Sequence, residues 1–214
     1  MTDEDIAQYL RAHPDFLCRH SDLFDVLTVI HPRHGHAISL TERQLHVLRG
    51  KIQQLERKLA ELIRFGEQND AISEKVHRLA TSLLVAKSYD GKRRALFASM
   101  QDDFAVPHVA LRIWDTQTEG EEFQPVSEGV RAFADGLSRP YCGAPTNIEG
   151  LDWFGEMAPH IRSVALAPLQ RGKQVMGLLA LGSEESERFY SEMGTLYLER
   201  IGALASAALL PEIL

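Results

Sequence analysis

Three groups of residues in this chain have the side chains for chemistry. His31, His34 and His36 crowd into the stretch His-Pro-Arg-His-Gly-His. Imidazole nitrogens bind zinc and related metals, but only when they converge and a further ligand completes the shell. No fixed ligand spacing stands nearby, so the stretch also reads as a polar loop broken by proline and glycine, and no metal site is assigned. Cys18 and Cys142 are the 2 cysteines. They fall in regions that read as different modules, which favours reduced thiols and a cytoplasmic setting over a disulfide. Lys92-Arg93-Arg94 is a basic run with Asp102 and Asp103 close behind it, and reads as a solvated helix face.

Two other patterns fall short of a site. A phosphate-cradling loop ends Gly-Lys-Ser/Thr, whereas Gly172-Lys173 is followed by Gln174 and reads as a hairpin turn. No Ser-His-Asp set can be singled out by spacing, because triads are assembled in space. The chain is therefore not expected to be an enzyme.

Composition narrows the class. The 214 residues allow one good core plus an accessory segment. At 44% hydrophobic and 25% charged residues the chain is an ordinary globular protein. No apolar run approaches the ~20 residues of a membrane span, and the acidic start Met-Thr-Asp-Glu-Asp argues against a signal peptide. A formal net charge of -7 disfavours nucleic acid as a partner.

The elements that would position any site are clearest between residues 162 and 209. Ser163–Leu169 and Gln174–Gly182 read as two strands around a turn at Gln170-Arg171-Gly172-Lys173, with Gly172 free to take positive φ. Val164 and Leu166 point one way, and Ala165, Ala167 and Leu169 the other. By the same alternation Val175, Leu179 and Leu181 oppose Met176, Leu178 and Ala180. A hairpin apolar on both faces must be covered on both sides. The final helix, about Ser191–Leu209, carries bulk at Leu196, Leu198, Ile201 and Leu209. Gly202, Ala203, Ala205, Ser206 and Ala207 make a small surface on it for close packing, against residues 70–86 or a second copy.

Earlier in the chain, residues 2–30 read as a small helical module, with Thr2 and Asp5 as a capping box and Pro14 ending the first helix. Residues 31–39 read as a loop, and Ser39 with Glu42 as a second capping box. Leu45, Leu48, Ile52, Leu55, Leu59 and Leu62 then alternate spacings of three and four, an a/d seam. Lys51 falls at g and Glu56 at the following e, an attractive pair across a parallel two-stranded coil. Gly66 and Asn69 break the seam, and helical spacing resumes at Ile72, Val76, Leu79 and Leu83. A dimeric coil is favoured over a helix packed on residues 2–30. Residues 89–106 read as a further helix and His108–Asp115 as an alternating strand. Phe123–Ser127 reads as a short strand, Glu128–Leu137 as a short helix, and Asn147 as the cap of a helix through Gly155. The whole of 116–161 is long, irregular and aromatic, the kind of connection that is usually functional.

The order Ser163-Val-Ala-Leu-Ala-Pro-Leu169, Gly172, Met176-Gly-Leu-Leu-Ala-Leu-Gly-Ser183, Arg188-Phe189 and an apolar terminal helix resembles a GAF domain over roughly residues 70–210. His13-Pro14-Asp15-Phe16, Ser39-Leu40-Thr41-Glu42-Arg43-Gln44 and Leu48-Arg49 extend the similarity to the bacterial family of unknown function DUF484, over essentially the whole chain. The resemblance implies an α+β fold: a GAF-like antiparallel sheet of five or six strands with helices on one face, after an N-terminal helical region and a helical stalk. The expected divisions are 1–38, 39–69 and 70–214, with helices 70–88, 90–105 and 191–209 on one face and residues 116–161 roofing the other.

In similar domains small ligands bind under the roof. Here that side would draw on Trp114, Phe123, Phe133, Tyr141, Cys142, Trp153, Phe154 and Ser163; apolar walls with a few polar groups suit a small organic molecule. Those aromatics equally suit a filled core. Some GAF-like domains reduce methionine sulfoxide, which needs a resolving thiol, and Cys142 is alone in the domain. Others attach a bilin through a cysteine followed by histidine, but Gly143 follows here. No cyclic-nucleotide signature is found, and no cofactor is named. The resemblance implies no established activity; the two-sided hairpin, the aromatic loop and the interrupted seam point to a sensory or regulatory module, dimeric through Leu45–Leu62, and the alternative is an interaction scaffold with a degenerate GAF fold, no ligand, and a protein partner.

Overall fold

The computed structural model describes residues 2–23, 28–30, 37–145 and 151–213. Its contacts divide the chain into two units, Met1–Glu67 and Gln68–Leu214. In the first unit, helix α1 (Asp3–Ala12) begins at the expected capping box. The Asp5 amide donates to the Thr2 hydroxyl and the Thr2 amide to the Asp5 carboxylate, which together hold down two of the orphan amides of the first turn. Helix α2 (Phe16–Arg19) follows Pro14, and the Phe16 ring meets Tyr9 at 5.7 Å and His20 at 4.7 Å.

The segment read as helix then loop holds a small antiparallel pair instead. Strand β1 (Thr28–Ile30) lies against β2 (Ala37–Ser39), with Val29 opposite Ile38. The β-branched triplet Thr28-Val29-Ile30 satisfies its backbone by pairing with Ala37–Ser39, so Ser39 is a strand end beside the helix. The histidine cluster, His31, His34 and His36, lies outside the described residues.

Helix α3 runs unbroken from Leu40 to Val85. Gly66 interrupts the seam but not the helix, at a propensity cost of ~1 kcal/mol. Before it, Leu45 to Leu62 are exposed. After it, Val76, Leu79 and Leu83 are buried in the core of the second unit. The change of apolar phase read at Gly66 and Asn69 thus marks where the helix acquires a core.

In the second unit, α4 (Tyr89–Ala98) is capped by Ser88 and widens into a π turn over Ser99–Asp103. Ala105 at φ +52 and Pro107 lead into β3 (His108–Ile113). Helix α5 is Glu128–Asp135, capped by Ser127, and β4 is Tyr141–Gly143. A 3-10 stretch, Leu151–His160, bends at Gly155, φ +58. Strand β5 (Ser163–Arg171), β6 (Gln174–Ser183) and helix α6 (Leu196–Leu209) complete the fold.

The sheet, four-stranded among the described residues, has the order β3-β6-β5-β4, antiparallel throughout. It is narrower than the five or six strands expected. Phe123 ends a 3-10 turn, Glu121–Phe123, rather than starting a strand. The β5–β6 turn is the one read in the sequence, with Gly172 at φ +66. α3, α4 and α6 cover one face, burying Leu79, Leu96, Ile201 and Leu209 against Leu111, Ala167, Leu169 and Leu179. A fully buried leucine of this kind stabilises by about 2 kcal/mol. The second face carries Ala110, Trp114, Leu166, Leu178 and Ala180 under Val130 and Ala134 of α5. Its cover is one two-turn helix plus irregular segments.

One pairing detail corrects the alternation read for β6. Leu169 pairs with Gly177 but Gln170 with Val175, so Met176 is an extra residue. A bulge of this kind flips the phase of all that follows. Met176 therefore joins Leu179 and Leu181 on the helical face, and Val175 joins Leu178 and Ala180 under the roof. α6 is also corrected: it begins at Leu196, and its buried small residues face β5. A Cβ on Gly202 would sit 3.2 Å from the Pro168 carbonyl oxygen, and the Ser206 hydroxyl accepts the Gln170 amide and donates to the Gly202 carbonyl.

Candidate functional site

Strand alternation puts Arg112 on the roofed face, between Ala110 and Trp114. Only 7% of it is exposed. Its Nη1 donates to the Leu111 carbonyl at 2.9 Å, and its guanidinium lies over the Trp153 ring at 5.4 Å. The carboxylate recorded against it is Glu121, at 4.0 Å, on a side chain 78% exposed. Beside Arg112 is a cavity of about 140 Å³, walled by Arg93, Phe97, Val109–Arg112, Glu121, Glu122 and Trp153. The buried Arg93 Nε stands 3.5 Å from the Glu122 carboxylate, an ion pair without a hydrogen bond. Nearby, burial and then the charge of Glu122 push the Tyr89 phenol well up, so it stays protonated. The site can offer charged donors to an oxyanion and apolar walls to its body.

Around this cavity the roof is pinned to the sheet. The Trp114 indole N–H donates to the Val175 carbonyl at 3.2 Å. Arg131 of α5 pairs with Asp115 at 2.7 Å and lies over the Trp114 ring. Phe154 packs on Gly182, where a Cβ would stand 3.1 Å from its ring.

The structure separates the eight residues read as pocket walls. Trp114, Tyr141, Trp153 and Phe154 meet in the roofed cluster, and of the eight Trp153 lines the cavity beside Arg112. Cys142 is on the opposite, helical face, since its neighbour Tyr141 faces the roof and a strand alternates. Phe123 also packs on the helical side, 5.5 Å from Tyr89. Phe133 is 38% exposed, edge-on to Tyr141. Ser163 has no exposed surface; its hydroxyl donates to the Glu185 carbonyl at 2.6 Å and accepts the Phe189 amide at 3.4 Å. It anchors the chain after β6. Arg112, Glu121 and Glu122 were not read as site residues from the sequence, and Arg93, read as part of a solvated helix face, is partly buried in the cavity wall instead. The one signal was that Arg112 shares its face of β3 with Ala110 and Trp114.

A larger cleft of about 600 Å³ opens on the helical face, with Ile72, Lys75, Met100, Phe104, Arg188 and Tyr197 among its walls. Arg188 there is already held by the Phe104 carbonyl at 2.7 Å. Among the described residues no group of three or more His, Cys, Asp or Glu could hold a metal ion, and no helix is long and apolar enough to cross a membrane. On the stalk, the seam residues Leu45, Leu48, Ile52, Leu55, Leu59 and Leu62 are exposed, from 48% at Leu45 to 66% at Leu62.

A family model described as "Protein of unknown function, DUF484" matches residues 1–211. The chain belongs to the DUF484 family. The uncharacterized protein YigA of Salmonella typhimurium is 25% identical to this DUF484 chain over 223 residues, covering 100% of it and 91% of YigA. Among solved structures, the GAF domain of the Acinetobacter phosphoenolpyruvate-protein phosphotransferase is similar at 15% identity and a TM-score of 0.50, over 64% of this chain and 92% of that one. The A. aeolicus nlh2 GAF domain, in an inactive state, aligns at 14% identity and a TM-score of 0.49, over 67% and 98%. The DUF484 chain carries a GAF-like fold. Likeness at this identity speaks to the fold and not to what is bound.

Proposed function

We propose that this DUF484 chain is a non-catalytic sensory or regulatory module of the cytoplasm, dimeric through its stalk, which takes a small organic ligand beneath residues 116–161. The observation that carries the reading is the cavity between the edge strand β3 and Trp153 of the roof, with a buried arginine in its wall. A ligand there acts only through differential affinity for two arrangements of the roof. Helix α4 contributes Arg93 and Phe97 on one side, so a guest bears on the helical layer as well as on the roof. Free Cys18 and Cys142 fit a reducing compartment.

A thermal-shift screen of metabolites tests the ligand. A compound at 100 times its Kd adds ~2.7 kcal/mol of stability. A hit that also changes Trp153 fluorescence, and loses that change in Trp153→Phe, supports the reading. Stabilisation that leaves the Trp153 signal untouched places the guest elsewhere.

The exposed seam favours a second reading, an interaction scaffold without a ligand. Its six apolar positions are uncovered in one chain, and Lys51 and Glu56 suit a second copy in parallel. Leu55→Asp combined with Leu59→Asp should convert dimer to monomer in light scattering. A double variant that stays dimeric removes the seam as the interface and turns attention to α3 beyond Gln68 and to α6.

A further inference from the structure

A guanidinium buried to 7% exposure needs an anion. Taking an ionised group out of water costs several kcal/mol unless it is paired at close range. Arg112 carries five N–H donors. One is held by the Leu111 carbonyl, and Glu121 stands at 4.0 Å, beyond hydrogen-bond distance and mostly in solvent. The Nε of the neighbouring Arg93 is buried and makes no hydrogen bond, with the Glu122 carboxylate 3.5 Å away. Both arginines line the same cavity.

We infer that the ligand under the roof is a small organic carboxylate, a monoanion gripped by Arg112, with its apolar body against Trp153, Phe97 and Ala110. This rests on the reading above in one respect, that a guest enters this cavity. Carboxylate is favoured over phosphate on charge. Arg93 and Arg112 are balanced by Glu121 and Glu122 at the rim, so the lining is neutral before anything binds. A single negative charge can take Arg112 while Glu121 stays in water, where it already points. A dianion would face both glutamates. The planar fork of arginine also matches a planar carboxylate in two parallel hydrogen bonds. The cavity of about 140 Å³ limits the guest to a small acid.

The test uses the full chain, with acetate, propionate and benzoate as probes. Their primary amides serve as uncharged counterparts and inorganic phosphate as the dianion, all at constant ionic strength. Calorimetry and Trp fluorescence should show at least one acid binding about tenfold or more tighter than its amide. Arg112→Met should abolish that preference. Because it removes an under-paired buried charge, it should also leave the ligand-free melting temperature equal or higher. A lower melting temperature for Arg112→Met identifies a structural arginine and overturns the inference. If that variant does not fold, Arg93→Gln, at a more exposed position, should weaken the acid several-fold; unchanged affinity overturns it too. Phosphate bound as tightly as the best acid refutes the carboxylate assignment. Neutral compounds that bind while every acid is silent refute it as well, and leave the sensory reading standing. Silence from acids and neutral compounds alike removes both.

Discussion

A Cβ on Gly177 would stand 2.4 Å from the carbonyl oxygen of Arg112. Strands β3 and β6 therefore close on one another at this point only because residue 177 has no side chain. Gly177 pairs with Ile113, and the bulged Met176 stands next to it and accepts the Trp114 amide at 2.9 Å. The backbone that aims Arg112 at the roof is set by this contact.

Gly177→Ala should therefore act on stability and site together. Pushing against backbone costs about 1–3 kcal/mol, read as a lower urea midpoint at unchanged m-value. Any ligand that depends on Arg112 should weaken with it. A loss below about 0.5 kcal/mol would mean the strands separate freely here.

Ser163 was read as a pocket wall, and its contacts are those of an anchor. Ser163→Ala leaves the Glu185 carbonyl and Phe189 amide short of a partner in a site without solvent. It should cost about 1–3 kcal/mol and leave ligand affinity alone. A variant of normal stability with altered affinity would return Ser163 to the site.

Ala105 holds φ +52, a region alanine enters at a cost. Ala105→Gly relieves that strain but gives the unfolded chain more freedom, for a net gain of about 0.5–1 kcal/mol in chemical denaturation. Ala105→Val should lose stability. Equal stabilities for the three residues would show that the turn before β3 adapts.

Burial pushes the Cys142 thiol up, with Arg139 opposing in part. A raised thiol pKa means less thiolate at any working pH, and thiolate is the nucleophile. Alkylation of the native chain should modify exposed Cys18 first and Cys142 at least about tenfold more slowly, both reacting alike in denaturant. Equal rates in the native chain would reopen a thiol chemistry for Cys142.

Local patterns in the sequence were enough for several elements. The Thr2/Asp5 box starts α1, the Gly172 turn joins two strands apolar on both faces, and the apolar phase shifts at Gly66. Each depends on residues within a few positions of one another, where backbone preference and hydrophobic period decide the outcome. The candidate site was less legible. Arg112 looked like an ordinary solvent-facing residue of a strand, and only the roof above β3 makes it buried.

What the sequence determined by itself, then, was the long helix, the β5–β6 hairpin and its terminal helix, the family, and the need to cover both faces of that hairpin. Tertiary structure alone decided which face each residue joined. Met176 changed sides because pairing with β5 inserts a bulge, and Cys142 parted from Tyr141 because β4, alternating like any strand, has a helical layer on one side and a roof on the other. Thr28–Ile30 became a strand because Ala37–Ser39 offered it a partner. The reason is common to all three: side-chain period is a property of one segment, but register and cover belong to the segment that packs against it.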